Sequence, residues 1–190
     1  GTDNVALGNE ALDSVEAGGI NNVAIGDNAG TAITTGDCNT AVGKDSLCKT
    51  TTGIQNTAMG LRSLRSNTTG ENNVAVGAYA LDAHVSGSCS VAVGASSLEL
   101  NTASNNTAVG GRSMTFNTTG TGNVAVGKSA LTANTTANNN TAVGYFALND
   151  NTTGNCNTAV GASAAGTITT GVQNVAVGYN AGGAITTGTK

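Results

Sequence analysis

A five-residue phrase, Asn-Val/Thr-Ala-aliphatic-Gly, recurs eleven times along this 190-residue chain, with Ser90 replacing its asparagine once. The closing glycines are Gly8, Gly26, Gly43, Gly60, Gly77, Gly94, Gly110, Gly127, Gly144, Gly161 and Gly178; neighbours are 17 residues apart except for one step of 18 and one of 16. A period so short and so regular predicts a solenoid, in which each repeat packs only on its neighbours. A conventional core is excluded by composition: aromatic residues are 3% and charged residues 9% of the chain, against a charged share of roughly 25% in ordinary domains. Proline is absent, which suits a chain hydrogen-bonded along much of its length. Disorder is the rival reading of a chain rich in Gly, Asn and Thr. The fixed placement of Val, Ile and Leu argues against it.

Read in columns from the closing glycine (position 0), position −3 is always Val or Thr and position −1 always Val, Leu, Ile or Met. Two residues apart, these columns share a face of a strand, and as β-branched and aliphatic side chains they are expected to point inward. The alanine between them, at position −2, would then point out: Ala6, Ala24, Ala41, Ala58, Ala75, Ala92, Ala108, Ala125, Ala142, Ala159 and Ala176. A solvated position should vary, so the invariant alanine is read as the contact surface with sister chains. Position +3 is Ala or Ser and position +4 is mostly Leu, which reads as a second short strand with its leucine inward. Turns such as Asn67-Thr68-Thr69-Gly70 follow, with Asn and Gly expected at positive φ. The fold class is therefore all-β, a parallel β-roll or β-solenoid of about eleven 17-residue rungs, two short strands each, forming one domain over residues 1–190. The stacked asparagines at position −4 are open to two readings, a hydrogen-bonded ladder or turn residues.

Phrases such as Asn73-Val74-Ala75-Val76-Gly77 and Asn22-Val23-Ala24-Ile25-Gly26 resemble the head repeats of trimeric autotransporter adhesins. The longer rungs with Asn-Thr-Thr-Gly turns are similar to repeats in phage tail fibres and related bacterial adhesive fibres. The resemblance covers nearly the whole chain and implies a left-handed, homotrimeric parallel β-roll with its two aliphatics inward. It implies a location on the cell surface or a virion tail fibre. The chain departs from the adhesins in its longer period, and none of these 190 residues resembles the coiled-coil stalk, membrane anchor or chaperone segment of that family. Without polar caps at either end, the chain reads as a segment of a longer polypeptide or a unit that stacks end to end.

Chemistry has few candidates. His84 is the single histidine, and its place in a turn predicts an exposed residue rather than part of a catalytic triad. Cys38, Cys48, Cys89 and Cys156 contain no Cys-x-x-Cys, which argues against zinc. Cys38 and Cys48 could form a disulfide; free thiols are the other reading. Scattered acids argue against calcium. No cofactor is expected, and an enzyme is not. Tyr79, Tyr145, Phe146 and Tyr179 follow the phrase glycine and are candidates for surface recognition, or simply scattered aromatics. Asn67, Asn105, Asn117, Asn134, Asn139 and Asn151 fit the Asn-x-Ser/Thr pattern. The net charge of −4 without a basic cluster argues against nucleic acid, and no apolar run reaches the roughly 20 residues of a membrane span. The expected function is a non-enzymatic fibre or adhesin segment that attaches as a homotrimer to a surface receptor, matrix or glycan. The alternative is a passive rod with recognition carried elsewhere.

Overall fold

A computed structural model describes residues 2–16 and 18–188. It contains eleven three-residue strands: β1 (Val5–Leu7), β2 (Val23–Ile25), β3 (Thr40–Val42), β4 (Thr57–Met59), β5 (Val74–Val76), β6 (Val91–Val93), β7 (Thr107–Val109), β8 (Val124–Val126), β9 (Thr141–Val143), β10 (Thr158–Val160) and β11 (Val175–Val177). They form one parallel sheet in chain order, and every strand pairs with the next so that alanine lies over alanine. The all-β solenoid with one phrase per rung is as the repeat predicts. At about 4.8 Å per rung the stack is roughly 50 Å long.

Each rung carries one strand, not two. The residues expected to form the second strand are turns, and the leucines of position +4 sit there in the left-handed region: Leu47 and Leu64 at φ 48, Leu98 at φ 50, Leu131 at φ 52. A left-handed residue interrupts the alternation of a strand, so positions +3 and +4 are both interior. Ala80 and Leu81, or Ala147 and Leu148, are wholly buried neighbours. Holding a leucine at positive φ costs about 1–2 kcal/mol, and burying it returns about 1.5–3 kcal/mol. The balance is close enough that the bonds between rungs decide it. Each such amide donates to the next rung, as in Leu64 N to Ala80 O at 2.9 Å and Leu131 N to Ala147 O at 2.9 Å.

The strand faces are the reverse of the expectation. From Ala24 to Ala176 the position −2 alanines are all buried within the chain, most of them completely. Only Ala6, in the first rung, is exposed. The alanines are therefore core residues, and those ten cannot be contact points for sister chains. The lumen explains their invariance. A Cβ on Gly30 would lie 3.7 Å from the Ala24 methyl, 3.1 Å from Leu12 Cδ2 and 3.0 Å from Ile33 Cδ1. The strand methyl thus faces the +4 and +7 side chains of the far wall across a gap already filled. What points outward is the Val/Thr and aliphatic pair.

The phrase glycines are needed for two reasons. Gly77 has φ +131, and a Cβ there would fall 2.6 Å from the carbonyl carbon of Gly94. The Asn-Thr-Thr-Gly turns differ from expectation, because their asparagines and glycines are not the left-handed residues. Those positions are −5, 0, +2 and +4.

Ala75→Lys should therefore unfold or strongly destabilise the chain itself, because it buries a charge without a partner. Ala75→Val should cost about 1–3 kcal/mol by overpacking. Thermal unfolding followed by far-UV circular dichroism checks both; an unchanged melt for Ala75→Lys would contradict the inward alanine.

Candidate interaction face

The narrow lumen pushes the larger aliphatics of the phrase to the outside, where the parallel sheet lines them up. Ile25, Met59, Val109, Val124, Val126 and Val160 are each 36–44% exposed. At the two ends of the stack Leu7 reaches 67% and Val177 68%. With the other Val and Thr residues of position −3 they form a strip along all eleven strands. No charged residue occupies either column.

Polar and aromatic residues border the strip. On the side where the strands begin, Cys38, Cys89 and Cys156 are exposed, in the column of position −5. All four cysteines are free thiols, including the Cys38 and Cys48 considered as a pair. Burial pushes the Cys48 thiol up from its ordinary value, and its Sγ lies 3.8 Å from the Arg65 carbonyl oxygen. On the other side, Tyr145 is 52% and Tyr179 86% exposed, while Tyr79 and Phe146 are partly buried. Tyr145 and Phe146 meet edge to face with centroids 4.4 Å apart. The Arg62 guanidinium lies 5.9 Å from the Tyr79 ring centroid. Of the four aromatics, Tyr145 and Phe146 touch, whereas Tyr79 and Tyr179 belong to other rungs.

Among the described residues three ion pairs link neighbouring rungs outside the strip, Lys44–Asp27, Arg62–Asp45 and Arg65–Asp82. Lys44 Nζ lies 2.6 Å from Asp27 Oδ2, and Arg65 Nε donates to Asp82 Oδ1 at 2.8 Å. The Lys44 hydrogen bond lowers the Asp27 carboxyl, and Asp27 in turn raises the Lys44 ammonium. Both groups are solvated, so the pair contributes little to stability.

Two buried polar columns hold the wall behind the strip. At position −4 the side-chain oxygen of each asparagine accepts the backbone N–H of its counterpart one rung on. Asn39 N to Asn22 Oδ1 is 2.9 Å, Asn140 N to Asn123 Oδ1 2.9 Å, and Asn157 N to Asn140 Oδ1 2.8 Å. The amide nitrogen donates to a turn carbonyl 14 residues ahead, as from Asn123 to Ala137 at 2.8 Å. Of the two sequence readings, the ladder is the one formed. A second column, at position +7, was not anticipated. Asn117 Nδ2 donates to Asn101 Oδ1 and Asn134 Nδ2 to Asn117 Oδ1, both at 2.6 Å. It includes His84, which is fully buried rather than exposed. It also contains Asn67, Asn117, Asn134 and Asn151 of the Asn-x-Ser/Thr matches. Only Asn105 and Asn139 of that group are exposed.

Among the described residues there is no pocket, and no group of three His, Cys, Asp or Glu side chains is placed to hold a metal ion. No helix there is long and apolar enough to cross a membrane. Compared with protein-family models, curated proteins and solved structures, the chain matches none.

Asn123→Ala should strand the Asn140 N–H and the Asn140 Nδ2 inside the wall, while the Ala137 carbonyl keeps its bond from Asn134 Nδ2 at 3.2 Å. Each stranded group costs about 1–3 kcal/mol. Equilibrium unfolding in urea checks it; a change within error would mean the ladder carries no stability.

Proposed function

We propose that this chain is a non-enzymatic fibre segment that associates with copies of itself, as a homotrimer, and presents the assembled rod to a cell surface, matrix or glycan. One observation carries the reading: the uncharged aliphatic strip that runs the length of the sheet. A monomer seldom leaves a continuous apolar surface of that kind in water. Its fixed repeat is matched rung for rung by an identical strip on a sister chain. The number three and the placement on a bacterial or viral surface rest on the phrase resemblance.

The assembly surface in this reading is the Val/Thr and aliphatic pair of each strand, in place of the alanines. Three copies on one rod would strengthen weak individual contacts through effective concentration. A second reading, a passive rod, draws support from the near-identical rungs and from the lack of a pocket among the described residues.

Solution mass and binding test the two readings together. The wild-type chain is expected to have the mass of a trimer at micromolar concentration. Val126→Lys sets like charges facing one another across the strip, and is expected to yield folded monomers with the far-UV circular dichroism spectrum of the wild type. A wild-type monomer, or a Val126→Lys trimer, would overturn association through this face. If the trimer forms but binds nothing on a panel of cells, matrix proteins and glycans, the passive rod is the correct reading.

A further inference from the structure

The repeat is least regular at the middle of the stack, and the departures there fall together. His84 occupies the buried +7 column, where Asn67 and Asn101 flank it on the neighbouring rungs. Nothing donates to the Asn67 side-chain oxygen, and Nε2 of His84 has no partner within hydrogen-bonding geometry. The next residue, Val85, interrupts a threonine column whose hydroxyls elsewhere donate to the next rung, as Thr51 does to Thr68 O at 3.3 Å and Thr118 to Thr135 O at 3.0 Å.

Ser90 then replaces asparagine in the −4 ladder, and its hydroxyl receives Asn106 N at 3.5 Å, where the asparagine steps are 2.8–3.0 Å. The step from Gly94 to Gly110 is the single one of 16 residues. Across this short rung the backbone series also falters. Thr68 N donates to Val85 O at 2.7 Å and Thr102 N to Thr118 O at 2.9 Å, yet among the described residues the corresponding bond from Val85 N to Thr102 O is not made.

We propose that β5 to β7 form a proton-operated seam, at which protonation of the buried His84 parts the rungs and exposes strand edges while the outer rungs stay stacked.

The geometry gives the reason. A neutral imidazole carries one N–H. Nδ1 lies 3.1 Å from the Asn101 carbonyl oxygen and 3.2 Å from Asn101 Nδ2, so it donates to the first or accepts from the second. A second proton makes a buried cation. No charged side chain acts on the ring; burial disfavours the cation, and the backbone of Asn101 and Gly87 offsets that only in part. Asp82, on the same turn, is held by Arg65.

Burial is the largest influence and pushes His84 below its ordinary value. The sign follows: stability is intact above about pH 6.5, where the unfolded histidine is neutral, and declines as the pH falls below that value toward the lower folded one. His84 is the chain's single histidine, so one side chain accounts for the effect.

Hydrogen exchange of the full chain, read by mass spectrometry between pH 7 and pH 5 and expressed as opening constants, tests the proposal. In the wild type, peptides covering 78–106 are expected to open more readily, by up to about tenfold per pH unit below roughly 6.5. Peptides covering 124–160 should not change. His84→Asn supplies the residue that the column uses at Asn117 and Asn134, and it should remove the pH dependence. His84→Ile, matching Ile33 and Ile168 of the same column, should remove it too. Uniform loss of protection along the wild-type chain, or the same pH response in a folded variant, would overturn the seam.

Discussion

Like lies over like at every level of this stack, and the rest of the structure depends on that register. One residue position repeated at one strand spacing turns weak side-chain bonds into continuous columns. The asparagines can bridge backbone to backbone only because their counterparts sit one rung away at the same height. The phrase glycines can approach so closely only because the residue above is also glycine. Left-handed leucines, which a single turn would scarcely tolerate, are held by an inter-rung bond that recurs in every repeat. The stability of any rung is therefore mostly the property of its two neighbours.

The architecture was legible in the sequence because periodicity is a backbone property. Seventeen residues between glycines specify a solenoid whatever the side chains do. Which strand face is inside was harder, because alternation specifies two faces and a one-residue shift exchanges them. The phrase holds β-branched residues on one face and alanine on the other, and size alone favours the wrong one. A clue was present: the asparagine at −4 shares parity with the alanine at −2. A hydrogen-bonded asparagine ladder has to be sheltered from water, so it takes the alanine inward with it. The free mixing of Thr with Val at position −3 fits an outer column for the same reason.

The turns defy their sequence signals for a related cause. Asparagine and glycine are turn formers on average, but here the asparagines of the Asn-Thr-Thr-Gly segments serve as interior donors while leucine takes the left-handed corner. Tertiary packing overrides local preference wherever a repeated bond outweighs it. His84 is a further case, since a histidine in a turn-like segment suggests exposure and this one is fully buried. Its alignment with Asn67, Asn101 and Asn117 seven residues past the phrase glycine was readable, but only once that column was known to be interior.

The one-to-one registry between neighbouring repeats also makes length a separable variable. Adding or removing a whole 17-residue unit leaves every column continuous, whereas a gain or loss of one residue puts unlike positions opposite each other unless a turn absorbs it. Genetic duplication and slippage in steps of one repeat can thus lengthen or shorten such a rod without reinventing its interior, so its reach is open to selection independently of its fold.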